Sequence, residues 1–116
     1  MSSYHNLIIW QKSDILAKEV YRVTKAFPRS EIYGLTSQLR RAALSVVLNI
    51  IEGYARNNKK EFVRFLKISY ASLVETEYLI EFAYSQGYLT SKNYEQAGTI
   101  RNECGKVLWK FLLSQK

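Results

Sequence analysis

At 116 residues, 47% apolar and 23% charged, the chain has the size and composition of one soluble globular domain, long enough to bury about two-thirds of its unfolded surface without disulfides or metals. A single cysteine, Cys104, excludes an internal disulfide and suits a reducing cytoplasm; no run of apolar residues is long enough for a membrane span, and the opening MSSYHNLIIW lacks the pattern of a secretory signal. The net charge of +7 points to a polyanionic partner, most commonly nucleic acid, against the plainer reading of a basic solvated surface.

One proline and five glycines leave little punctuation, which favours a few long helices. The spacing of Leu7, Ile8, Ile15, Leu16, Val20, Val23 and Phe27 predicts a first helix over about 7–27. Pro28 cannot continue it and biases Phe27 towards an extended backbone. Ser30 offers an N-cap oxygen and Glu31 a favourable first-turn charge, so the second helix is expected over about 31–56. Its stripe is Leu35, Leu39, Ala42, Val46, Asn49 or Ile50, and Gly53. Asn57-Asn58 breaks it. Asn58 with Glu61 three residues on resembles a capping box, which opens a third helix over about 59–86, and Gly87 suits the position after its end. Leu89 is expected to anchor the linker in the core. A fourth helix over about 91–114 uses Tyr94, Ala97, Ile100, Cys104, Val107, Leu108, Phe111 and Leu112, with Gly98 and Gly105 read as marks of close helix contact.

Four helices with short connections predict an all-α fold, an antiparallel up-down-up-down four-helix bundle in one domain spanning 1–116. Val47, Ile51, Tyr70, Tyr78 and Phe82 fall off the core stripes. Together with nine tyrosines, they predict a second buried face and hence a homo-oligomer; the alternative is scattered surface aromatics.

Several blocks carry a family resemblance: Leu7 to Lys12 (LIIWQK), Phe27-Pro28, Glu31 to Gln38 (EIYGLTSQ), Leu39-Arg40-Arg41-Ala42 with Ser45, and above all Asn49-Ile50-Ile51-Glu52-Gly53. Arg56, Lys60-Glu61-Phe62, Phe65-Leu66, Ser72-Leu73 and Glu75 extend it. The chain resembles the four-helix-bundle proteins encoded in intervening sequences of bacterial large-subunit (23S) ribosomal RNA genes, often labelled ribosomal proteins. The resemblance covers nearly the whole chain and is weakest in the fourth helix. It implies a left-handed bundle assembled as a ring-like homopentamer. A more distant relative, the accessory protein of diversity-generating retroelements, is a basic pentameric barrel that binds a reverse transcriptase and nucleic acid. Val47-Leu48 stands where the family more usually has proline and a small residue, which predicts a straighter second helix.

Residues 56–67 hold Arg56, Lys59, Lys60, Arg64 and Lys67 against one acid, Glu61. Several cations on one surface suit phosphate, because each neutralised phosphate releases counterions. With Arg40 and Arg41 further back on the second helix, these form the expected nucleic-acid surface. No base-reading motif accompanies them, so contacts to phosphate and shape are expected. The alternative for the turn is a solvated helix end. A second set, Gln38, Ser45, Asn49, Glu52 and Glu75, reads as a polar network that fixes helix register. In a hairpin centred near Asn57-Asn58, Glu52 would face Arg64 and also sits four residues before Arg56, Arg40 or Arg41 would face Glu75, and Asn49 would lie near Leu66 and Ser69.

A catalytic role is not expected. His5 is the sole histidine, Cys104 sits on an apolar stripe, and Glu75, Glu77 and Glu81 lack the Glu-x-x-His pattern of di-iron bundles. The five glycines are isolated, so no phosphate loop exists. No metal or other cofactor is expected. The rival to nucleic-acid binding is a protein-interaction scaffold with an unidentified protein partner.

Overall fold

The computed structural model describes residues 3–115; Met1, Ser2 and Lys116 of the expected 1–116 domain lie outside the described residues. It contains four long helices and no strand among those residues: α1 (Ile8–Thr24), α2 (Leu35–Ala55), α3 (Lys59–Ser85) and α4 (Ser91–Ser114). α1 packs on α2 and α4, and α3 packs on α2 and α4, with the most extensive contact between α2 and α3. Twenty apolar residues from all four helices, with Phe27 and Leu89 from the connections, form one core among the described residues. No helix among the described residues is long and apolar enough to cross a membrane.

The helix ends follow local chemistry. A 3-10 turn over Tyr4–Asn6 precedes α1. α1 then stops at Thr24, three residues earlier than expected. The Ala26 and Phe27 amides donate to Val23 and Thr24 in tightened turns, as the chain prepares for Pro28, which has no N–H to offer. Ser30 does not cap α2. It lies in a 3-10 turn, Arg29–Glu31, and the Glu31 carboxylate accepts from the Leu35 amide at 3.0 Å. α2 therefore begins at Leu35, four residues later than expected, with an anion at its positive end. Asn57 adopts φ 51° to leave α2. Asn58 Oδ1 then accepts from the Glu61 amide at 2.9 Å and opens α3. Gly87 takes φ +80° after α3, Leu89 is buried, and the Thr90 hydroxyl accepts from Asn93 N at the start of α4.

The core face of α1 differs from the expected one. Ile9, Ser13, Leu16, Ala17, Val20 and Val23 are buried, whereas Ile8 and Ile15 point outwards, at 60% and 47% exposure. Each outward isoleucine adjoins a buried residue and lies about 100° round the helix from it. On α2, Val47 is buried and Leu48 is the outward residue. Gly98 is not a close contact, because nothing lies within 4 Å of a Cβ built there. Gly53 is one: a Cβ would lie 2.8 Å from Phe65 Cβ and 3.0 Å from Phe62 Cδ1. The absent side chain lets α3 approach α2 closely.

Some buried polar groups find partners on a neighbouring helix. Ser69 donates to the Val46 carbonyl of α2 at 2.7 Å. Glu19, buried in α1, accepts two hydrogen bonds from Arg22, which also reaches Asn93 of α4. Nothing in the apolar pattern marked Glu19 as an inward residue.

Candidate nucleic-acid interface

The turn between α2 and α3 gathers five cations at one end of the molecule, and its geometry divides them into two kinds. Arg56, the cap of α2, donates to Glu52 at 2.8 Å and lies 3.8 Å from Glu61. Arg64 donates twice to Glu61, at 2.9 and 3.2 Å. Both guanidinium groups also lie over the Phe65 ring, with centroid distances of 5.0 and 4.4 Å. Phe65 thus holds two arginines by cation–π contact, while Glu61 offsets part of their charge. The hydrogen bonds from Arg64 hold the Glu61 carboxyl below its ordinary value against a smaller opposing effect of burial, and the charges of Arg64, Arg56 and Lys60 add to them. The same hydrogen bonds raise Arg64.

Lys59, Lys60 and Lys67 are exposed, and none of them forms an ion pair with a described residue. With Arg64 and Gln115 they line one concave surface at the start of α3. Lys59 and Lys60 occupy the first turn of that helix, where the backbone amides already favour an anion. Three free ammonium groups beside two shielded guanidiniums make a surface suited to successive phosphates.

Two arginines expected here lie elsewhere. Arg40 Nε donates to the Thr24 hydroxyl at 2.8 Å, and its guanidinium lies 4.5 Å from the Tyr21 ring centre. It joins α2 to α1, and the expected pairing with Glu75 does not form. Arg41, next in sequence, turns to the other side of α2 and lines a groove with Gln38, Ser45, Ser72 and Glu75. That groove is about 22 Å from Arg56 along α2 at 1.5 Å per residue. Arg41 and Glu75 share it without forming an ion pair to each other.

The expected polar network is smaller than its five residues. The Ser45 and Ser72 hydroxyls are hydrogen-bonded at 2.8 Å. Asn49 donates to the Ser45 carbonyl and hydroxyl at 2.8 and 3.0 Å, and not towards Ser69. Glu52 pairs within its own helix with Arg56 and not with Arg64. Gln38 and Glu75 make no side-chain hydrogen bond with the described residues and instead face the groove. Around this set, the polar contacts from α2 to α3 are Ser45–Ser72 and Ser69 to the Val46 carbonyl.

Residues 5–110 match the family described as 23S rRNA-intervening sequence protein. The chain belongs to that family. Among solved structures, it is similar to a protein of unknown function from the S23 ribosomal protein family of Bacteroides thetaiotaomicron VPI-5482, at 24% identity and a TM-score of 0.82, over 90% of this chain and 95% of that one. That likeness is one of fold. No curated protein matches the chain significantly.

For a 23S rRNA-intervening sequence protein, sequence reasoning missed three side chains of interest. Phe65 has no sequence signal that separates it from other core aromatics. Ser72 pairs with Ser45 only through the α2–α3 register. Tyr33 precedes Gly34 in the connection to α2, and its ring is 96% exposed. Cys104 is buried, and burial pushes its thiol up to about 12, so the thiolate needed for nucleophilic chemistry does not form near neutral pH. No group of three or more His, Cys, Asp or Glu residues among the described ones is placed to hold a metal.

Proposed function

We propose that this chain is a non-enzymatic cytoplasmic protein that binds RNA or DNA through the phosphate backbone, using Lys59, Lys60, Lys67 and the flanking Arg56 and Arg64. The observation that carries the reading is the set of three unpaired lysines on one concave surface at a helix start, in a chain of net charge +7. Phosphate contacts of this kind fix position and carry no sequence information, so binding is tolerant of sequence and sensitive to salt.

The reading includes an antiparallel up-down-up-down bundle assembled as a ring-like homopentamer. Short connections support the antiparallel order, as do the pairs Phe62–Phe111, Tyr70–Trp109 and Tyr84–Tyr94, whose numbers rise on α3 as they fall on α4. Leu48, Tyr78 and Phe82, at 57%, 61% and 41% exposure, supply apolar surface for neighbouring protomers. In a ring the basic turn repeats around the axis, which multiplies weak contacts.

The same exposed apolar side chains favour one rival, a scaffold that binds a protein partner without touching nucleic acid. Fluorescence anisotropy separates the two. Wild-type protein should bind a labelled RNA with affinity that falls steeply with salt. The variant Lys59→Glu/Lys60→Glu/Arg64→Glu, with the wild-type sedimentation coefficient, should not bind. Equal affinity of the two proteins would rule the basic turn out.

A further inference from the structure

The groove between α2 and α3 differs in kind from the basic turn. It measures about 470 Å³ and is bounded by Tyr33, Gln38, Arg41, Ser45, Ser72 and Glu75. A phosphate-binding surface has no use for an unpaired carboxylate, yet Glu75 stands in this groove beside an equally unpaired Arg41. The Ser72 hydroxyl is bonded to Ser45 and keeps further hydrogen-bonding capacity. Cation, carboxylate, amide and hydroxyl thus converge without neutralising one another.

An aromatic ring stands at the lip. Tyr33 is 96% exposed, and the turn that carries it is tied down. The Glu31 carboxylate accepts from the Leu35 amide at 3.0 Å and from the Tyr88 hydroxyl at 3.1 Å. Gly34 leaves room for that carboxylate, since a Cβ there would lie 2.7 Å from Glu31 Oε1. The ring stands in water on an anchored turn beside a polar recess. Single-stranded nucleic acid is recognised by this combination: stacking on an aromatic face, with hydrogen bonds to the exposed base edge.

We propose that this groove takes one unstacked guanine of a single strand whose backbone lies on the basic turn. Guanine presents two adjacent N–H donors for the Glu75 carboxylate and the O6 and N7 acceptors for Arg41, with Tyr33 stacked on its face. The groove adds a base preference to a surface otherwise indifferent to sequence. This inference rests on the proposed nucleic-acid binding.

The test is anisotropy with two labelled 12-nucleotide RNAs, one all uridine and one with two central guanosines. The wild type should prefer the guanosine strand. Tyr33→Ala should weaken that strand about 5- to 150-fold, the range of one lost base stack, while Tyr33→Phe keeps it. Glu75→Gln should abolish the preference, although removing a negative charge would strengthen simple phosphate binding. Equal affinity of the wild type for both strands, or tighter binding of both by Glu75→Gln, would overturn the inference. If wild-type binding is lost on reversal of Lys59 and Lys60 but ignores guanosine and Tyr33, the proposed function stands and the guanine site falls. If neither strand binds the wild type, both fall. A change of sedimentation coefficient in Tyr33→Ala would assign the groove to contact between protomers and overturn the guanine site as well.

Discussion

Glu61 is the residue that withholds charge from the basic turn, so Glu61→Gln should strengthen nucleic-acid binding. The substitution removes one negative charge and keeps the side-chain shape. It also leaves the α3 cap intact, because Asn58 is bonded to the backbone amide of residue 61. In the wild type three lysines are free, Arg64 lies on Glu61, and the closer partner of Arg56 is Glu52, which the substitution leaves in place. For a single strand the slope of log affinity against log salt is about −0.7 per phosphate neutralised. Three contacts give a slope of about −2, and four, with Arg64 released, give about −2.8. Between 50 and 200 mM salt the wild type should then lose about 20-fold in affinity and Glu61→Gln about 50-fold. At the low-salt end the variant should bind more tightly. The assay is anisotropy of a labelled hexanucleotide, short enough to engage one protomer, over a salt series. Identical slopes for the two proteins would refute the reasoning, since Arg64 would then contact phosphate, or stay away from it, regardless of Glu61.

The remaining predictions concern stability and reactivity. Gly53→Ala should destabilise the fold: α3 must retreat by 0.6 Å to bring the new Cβ from 2.8 to 3.4 Å from Phe65 Cβ. An overpacking cost of about 1–3 kcal/mol exceeds the helix-propensity gain of about 1 kcal/mol, leaving a fall in Tm of several degrees; a raised Tm in thermal denaturation would count against the close approach. Arg40→Ala should lower Tm while leaving RNA affinity within about twofold, because Arg40 joins α2 to Thr24 of α1; a large loss of affinity at unchanged Tm would return Arg40 to the binding surface. The folded-state pKa of Glu61 lies below its ordinary 4.5, so its ion pairs favour the folded chain above pH 4.5, and that contribution disappears as pH falls through the lowered value. Urea denaturation at pH 6 and pH 3 should therefore show a larger acid loss in the wild type than in Glu61→Gln. Cys104, with its thiol pushed up to about 12, should resist alkylation at pH 8 until denaturant is added; prompt labelling of the native chain would contradict its burial.

Local signals in the chain marked the start and end of α3. Asn58 with Glu61, and Gly87 after Ser85, act within one turn of themselves, so their meaning does not depend on the rest of the fold. The rotation of α1 was not legible. Leu7-Ile8-Ile9 is an unbroken apolar run, and only packing against α2 and α4 chooses Ile9 over Ile8 for the core. The start of α2 was misplaced because its capping oxygen comes from a longer side chain, Glu31, four residues ahead. Arg40 and Arg41 are alike in sequence but about 100° apart on the helix. One therefore meets α1 and the other the groove. Glu52 and Arg64 were expected to pair across the hairpin, yet each has a partner one turn away on its own helix, which costs less side-chain ordering. The basic turn was legible as a run of charge. Its division into free lysines and shielded arginines was not, because it depends on where Glu61 and Phe65 lie.

Lysine acetylation footprinting with mass spectrometry would test contact at the basic turn most directly. Lys59, Lys60 and Lys67 are exposed, as are Lys18, Lys25, Lys92, Lys106 and Lys110, so each reports on its own surroundings. Bound RNA should protect the first three and leave the other five as reactive as in the free protein. Protection of Lys92, Lys106 or Lys110 with full reactivity at Lys59, Lys60 and Lys67 would contradict the account and move the nucleic-acid surface to α4.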